Sequence, residues 1–562
     1  MHKPQQNSWN ISAKAALRCA RALRGSLLQP LVLSLIISAL FTVTIARHNA
    51  SIAFTMPADA GIYKISVLLK AGFFIFLWVT SYAVIHFINM IRQKDEFYRR
   101  WLKYSLIYAI IILVVFLLIY PGHWVWDEFN ILAVVREYVP YAWQNYFTNI
   151  FYTFSLYIFP SAISIVVVQL LIITSIVGYV ATVVRTLTES RIASLIALLI
   201  FSLPPILINN FYPLRLTLYS YTEVLLFAYL LNSYHTMKLK LSYRSMTIVS
   251  FLVGILCFWR SEGIYYLILL PVLACYSGLI AKKNWSLYKT HAILAPSYVV
   301  IIVLGLITYL TSDSRYSITA TINPLSVMIQ KPLRGENIAK KLDDISAVID
   351  LEILRRYPSY SEIPSYWNGA LRPDFSNHLK SFNSAYLYII IHNPDSFFAA
   401  RTKTFLATNG AYEPYPPVLP IGLLGRDNEL TPGEQAVVTK FENDNVLTRP
   451  INAAVKKTVT RALLGIDQHD KLTPLGHLTW NLVVPLLLLT ATLLFAVKRR
   501  QWFWAIASLL ILLRFPIIFF TAPASYFMYY LPLYMSGLTV ALCYFSMNSL
   551  WQKNKRVPEA IA

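Results

Sequence analysis

Twelve apolar stretches, most of them separated by short polar loops, constrain this chain more than any other feature. A hydrocarbon layer about 30 Å thick takes about 20 helical residues to cross, and within it the backbone must satisfy its own hydrogen bonds. The stretches therefore read as membrane-crossing helices at about 27–46, 65–91, 104–120, 155–183, 192–208, 216–235, 245–258, 264–281, 291–311, 477–497, 502–520 and 525–547. Composition agrees: 57% of residues are hydrophobic and only 14% charged, where a soluble chain averages about a quarter charged. The expected fold class is an all-α polytopic membrane protein of about twelve transmembrane helices with interfacial helices. One extracytoplasmic domain, mixed or mainly helical, is added to it.

The net charge of +22 would suggest nucleic acid in a soluble protein. Here the basic residues sit between apolar stretches, at 92–103, Lys238–Arg244, Lys282-Lys283, Lys498–Arg500 and Lys553–Arg556. Lysine and arginine are retained on the cytoplasmic side, so this pattern is topological and nucleic acid is excluded as a partner. Residues 1–26 carry Lys3, Lys14, Arg18, Arg21 and Arg24 and no acid, a cytoplasmic start without a cleavable leader. Each basic cluster between spans then falls on the inner side. The expected organisation is a basic cytoplasmic segment 1–26, nine spans over 27–311 with an outer loop at 121–153, a soluble extracytoplasmic domain at 312–475, three spans over 476–548 and a cytoplasmic tail at 549–562. No stretch in 312–475 is apolar for long enough to cross. Helices are expected there near 336–356 and 376–392.

The third span runs into Tyr120-Pro-Gly-His-Trp-Val-Trp-Asp-Glu-Phe129. Pro121-Gly122 ends the helix, and the paired acids Asp127 and Glu128 follow. Acids are costly near hydrocarbon, so a pair beside a span suggests a general base and its partner working on a lipid-borne substrate. The plain alternative is a solvated loop with interfacial tryptophans. Beyond it, Ile131, Val134, Val135, Tyr138, Ala142, Trp143, Tyr146, Phe147 and Ile150 repeat at helical spacing, split by Pro140, as interfacial helices would.

Other polar groups expected on the same outer face are Arg215, Arg260, Glu262, Tyr526 and Tyr529. Arginine binds phosphate through a planar fork that lysine lacks. Arg260 and Glu262 also read as a simple pair in a turn, and Arg215 as a snorkelling residue. Arg514, inside the eleventh stretch, needs a partner or a lipid phosphate. His86 reads as an interhelical histidine, and Arg401 and Lys403 as a solvated face. The four cysteines, Cys19, Cys257, Cys275 and Cys543, show no metal-ligand or disulfide spacing. No cofactor is indicated, and a divalent metal stays open.

The acidic pair in a large outer loop, the interfacial helices, the many spans and the late extracytoplasmic domain together resemble the GT-C superfamily of integral-membrane glycosyltransferases. Protein mannosyltransferases and the aminoarabinose transferases of lipid A belong to it. Arg260-Ser-Glu-Gly263 and Ala522-Pro-Ala-Ser-Tyr-Phe-Met-Tyr-Tyr530 are similar to segments of bacterial members. The acidic pair here follows the third span, whereas the family places it after the first. The resemblance implies an inverting transfer of a sugar from a polyprenyl-phosphate donor to a glycan, lipid or protein acceptor. The reaction would lie on the non-cytoplasmic face of a bacterial inner membrane. Asp127 would be the general base with Glu128 in support, and arginines such as Arg260 would hold the departing phosphate. A polysaccharide polymerase or ligase, and a lipid-linked glycan transporter or flippase, are the competing readings. A transporter predicts charge inside several spans, where only Arg514, His86 and Lys70 stand out.

Overall fold

The computed structural model describes residues 29–55, 59–124, 126–139, 145–237, 243–273, 298–306, 308, 315–411, 439, 449–469 and 471–559. Among these, seven helices are long and apolar enough to cross a membrane. They are α1 (Gln29–Ala53), α2 (Ala60–Arg92), α3 (Glu96–Leu118), α6 (Ile163–Thr188), α18 (Pro474–Lys498), α19 (Trp502–Thr521) and α20 (Phe527–Met547). No strand occurs among the described residues, only isolated bridges at Ile349–Leu371 and Ile466–Leu472. The chain is an all-α membrane protein.

Predicted spans five to eight take shorter or more polar forms. The fifth stops at Phe201 in α7 (Arg191–Phe201), and its two prolines start a six-residue helix α8 (Pro204–Asn209). Proline suits a helix start and cannot continue one. The sixth, α9 (Arg215–Met237), spans 23 residues but turns a polar row of Thr217, Ser220 and Glu223 into the protein, each buried. The seventh is α10 (Tyr243–Trp259), and the eighth begins as a tight helix at Ser261–Ile268. The rest of spans eight and nine at 274–297, the break at Pro140 with Ala142 and Trp143, and the segment 1–26 lie outside the described residues. Between α3 and α6, the expected interfacial region forms α4 (Trp126–Val135) and α5 (Tyr146–Ile158).

Aspartate caps define the first hairpin. Asp59 accepts from the amides of Gly61 and Ile62 at 2.7 and 3.0 Å, and Asp95 from those of Phe97 and Tyr98 at 2.9 and 3.2 Å. These bonds satisfy amides that a helix start leaves open. The second cap starts α3 at Glu96, so most of the basic segment 92–103, with Arg99, Arg100 and Lys103, forms its first two turns. Burial then sorts the helices: 6% of the apolar window of α2 is buried against 67% of α6 and 72% of α20. Helix α2 is peripheral, while α6 and α20 form the centre. Helix α6 comes close to α3 because position 178 is glycine; a Cβ there would lie 2.6 Å from the Ser105 amide nitrogen.

The segment after the ninth stretch folds as helices α11 (Arg315–Met328), α12 (Ile338–Ser346), α13 (Leu351–Arg356), α14 (Pro364–Trp367), α15 (Phe375–His392) and α16 (Pro394–Thr408). They share their own core of Ile322, Leu325, Ile345, Leu354, Phe382 and Ile389. Helix α17 (Ala453–Leu464) packs differently: Leu464 and the following Ile466 join the main core of the membrane helices.

Candidate active site

A cleft containing about 700 Å3 of space between atoms, partly open to solvent, lies where helix ends meet the helical domain. Asp127, Arg215, Arg260, Tyr526 and Tyr529 line it together with Thr319, Ile363 and Trp367 from the domain. Residues far apart in the chain thus converge from the start of α4, the start of α9, the turn after α10 and the connection between α19 and α20.

The turn that delivers Asp127 is fixed from three sides. Gly122 takes φ +93°, and a Cβ there would lie 2.7 Å from the Phe211 carbonyl oxygen, so position 122 requires glycine on both counts. The His123 amide donates to the Phe211 carbonyl at 2.9 Å. The Lys456 ammonium, on α17, donates to the Gly122 carbonyl at 2.8 Å. Asp127 and Glu128 then occupy the first turn of α4, where the helix N-terminus favours negative charge. His123, Trp124 and Glu128 are all buried, so the solvated-loop reading does not hold. Asp127 is half-buried and faces the cleft. Glu128 points inward: burial first, then its carboxylate, pushes the phenols of Tyr152 and Tyr212 up. Burial, and then the Lys456 charge, holds the His123 imidazole well below its ordinary value.

Arg260 follows the last residue of α10. Asn145 ties that helix end to α5, capping α5 through the Phe147 amide at 3.0 Å and donating to the Phe258 carbonyl at 2.7 Å. Trp259 adds an indole bond to the Thr148 hydroxyl at 3.0 Å. Glu262 grips the Arg260 guanidinium through two oxygens at 2.5 and 3.2 Å. The guanidinium carbon also lies 5.6 Å from the centre of the Tyr529 ring. Burial would raise the Glu262 carboxyl, but Arg260, a backbone amide and Arg215 outweigh it and hold it down at about 2. The expected Arg260–Glu262 pair therefore exists and orients a guanidinium that also lines the cleft. Arg215 is buried at the cleft wall, which is not the exposure of a snorkelling side chain. Tyr526 and Tyr529 stack at 6.0 Å, and burial, then Glu362 and Asp127, pushes the Tyr526 phenol up.

Arg514 lies elsewhere, within the helix bundle. It donates to Glu223 at 2.5 Å and to the Tyr219 hydroxyl at 2.7 Å, and its guanidinium sits 4.9 Å from the Tyr219 ring centre. Sequence reading missed Glu223, although a single acid inside the apolar run Leu216–Leu231 was a visible signal. It also missed Trp367 and Thr319, which nothing in the domain's sequence singles out. Arg401 corrects the solvated-face reading: it is 1% exposed and donates to the carbonyls of Ala320 at 2.6 Å and Ala522 at 2.7 Å. Lys403 is exposed, and His86 is half-buried with its ring stacked 6.4 Å from Tyr82. Among the described residues no three His, Cys, Asp or Glu side chains gather as metal ligands would. Cys257 and Cys543 are buried free thiols.

Comparison with known proteins gives no match to a family model, to a curated protein or to a solved structure.

Proposed function

We propose that this protein is a membrane glycosyltransferase that takes a sugar from a polyprenyl-phosphate donor and gives it to a cell-envelope glycan, lipid or protein. One observation carries the reading: in a protein of membrane-crossing helices, a carboxylate, Asp127, shares a cleft with two guanidinium groups, Arg215 and Arg260. A donor with a long isoprenoid tail needs that arrangement, with lipid to one side and charged groups at the head. The resemblance to the GT-C superfamily, in its acidic pair and late helical domain, supports the same chemistry. The distribution of basic loops favours a cleft on the non-cytoplasmic face of a bacterial inner membrane.

In this mechanism Asp127 accepts the proton of the acceptor hydroxyl, and that oxygen attacks the anomeric carbon. The bond from that carbon to the phosphate oxygen breaks with inversion. Its electron pair leaves with the polyprenyl phosphate, whose charge Arg215 and Arg260 neutralise through fork-shaped hydrogen bonds. Glu262 keeps the Arg260 fork oriented, and buried Glu128 supports the turn of α4. The proton on Asp127 passes to water as products leave.

The test is Asp127→Asn in protein reconstituted with lipid and labelled polyprenyl-phosphate sugars. Loss of a general base lowers transfer by about 100- to 10,000-fold. Full transfer by a correctly folded variant removes Asp127 from the mechanism. Product mass separates one added sugar from the repeat unit that a polymerase or ligase would deliver.

A further inference from the structure

The lip of the cleft carries an aromatic ring that the transfer step does not use. Trp367 closes the short helix α14, lines the cleft and leaves 65% of its surface exposed. What sets this ring apart is its place: it offers apolar surface inside a cleft lined by charged groups. The backbone under it is rigid. The Asn368 amide and side chain both donate to the Pro364 carbonyl, at 3.0 and 2.8 Å, and the Gly369 amide donates to that of Tyr366 at 3.1 Å. Gly369 takes φ +80°, the left-handed conformation this reversal needs. The Tyr366 ring braces the indole edge-on, 5.1 Å away at 87°. The chain that follows reads Asn368, Gly369, Ala370, Leu371, Arg372, Pro373 and Asp374, which is too polar to sink into lipid as an anchor.

Asp127, Arg215 and Arg260 line the same cleft. A flat apolar ring and planar charged groups lining one cleft suit a pyranose. One face of such a ring presents C–H bonds that stack on an aromatic surface, while its hydroxyls hydrogen-bond to carboxylate and guanidinium groups. We propose that Trp367 is the platform on which a pyranose ring of the substrate stacks at the mouth of the cleft. This inference rests on the glycosyltransferase reading and adds to it a residue that binds sugar and takes no part in the chemistry.

Saturation-transfer NMR tests it on full-length protein in lipid nanodiscs, with methyl glucoside, galactoside, mannoside and N-acetylglucosaminide as probes. At least one glycoside should receive saturation at the C–H bonds of one ring face. Trp367→Ala should weaken that binding about two- to tenfold, the range of a single aromatic contact, and Trp367→Phe should keep most of it. Glycoside binding is read without turnover, so its outcome stands apart from the transfer test of the general base. If no glycoside binds the parent, or if Trp367→Ala binds equally well, the platform is overturned. Brominated lipid gives a second readout. If it quenches the parent's fluorescence more than that of Trp367→Ala, the ring sits in the bilayer, which also overturns the proposal.

Discussion

Buried charge is the residue-scale theme of this protein. Arg514 and Glu223 are 1% and 0% exposed, a pair enclosed among helices. Removing one member of such a pair strands the other, at about 3–5 kcal/mol, whereas replacing both with apolar side chains is often nearly neutral. Glu223→Gln should therefore lower the melting temperature in detergent clearly, and Glu223→Leu combined with Arg514→Met should recover most of it. If Glu223→Gln melts like the parent, the pair does not hold the bundle. His123 sets a pH dependence. Its imidazole is held well below the ordinary value, chiefly by burial and then by Lys456. The stability from keeping it neutral is complete above its unfolded value near 6.5 and is lost as pH falls below that, by up to about 1.4 kcal/mol per pH unit. Glu262, held down at about 2, adds its own loss only as pH falls through the ordinary glutamate value near 4.5, below the range from pH 7 to 5. Melting from pH 7 to 5 should fall more steeply for the parent than for His123→Phe.

At the scale of the element, glycine marks where helices touch. A Cβ at Gly178 would press on the Ser105 backbone, so Gly178→Ala must push α6 away from α3. At Gly72, on peripheral α2, the same added Cβ would meet only the Phe154 ring at an ordinary 3.5 Å. Replacing a helical glycine by alanine is worth up to about 1 kcal/mol where space allows. Gly72→Ala should thus raise the melting temperature and Gly178→Ala lower it. Equal shifts for the two would mean that the α3–α6 contact is looser than described.

The whole molecule is two cores joined beside the cleft by polar ties and by rings of α16, Phe397 and Phe405, packed on Phe520 and Phe515 of α19. Arg401 binds the carbonyls of Ala320 and Ala522, and the Ser525 amide donates to the Ser361 carbonyl at 2.8 Å. These bonds hold the connection that carries Tyr526, and with it the start of α20 that carries Tyr529, against the domain. Arg401→Met should speed hydrogen exchange in 522–530 and weaken donor binding, while the domain, with its own apolar core, keeps its protection. An unchanged exchange pattern would show that the domain docks without Arg401.

What the sequence by itself determined is whatever hydrocarbon imposes locally. Helices α1, α2, α3, α6, α18, α19 and α20 were legible because each apolar run must close its own hydrogen bonds, and Pro121-Gly122 and Pro204-Pro205 marked where runs end. The helix at 375–392 and the Arg260–Glu262 pair were legible for the same reason: their partners lie within a few turns. The tertiary structure alone decided which distant groups meet. Glu223 lies 291 residues from Arg514 in the chain, and Gly122 lies 334 from Lys456. Local spacing carries no information about such pairs. They form because a charge or an open carbonyl excluded from water must find its partner wherever packing brings one.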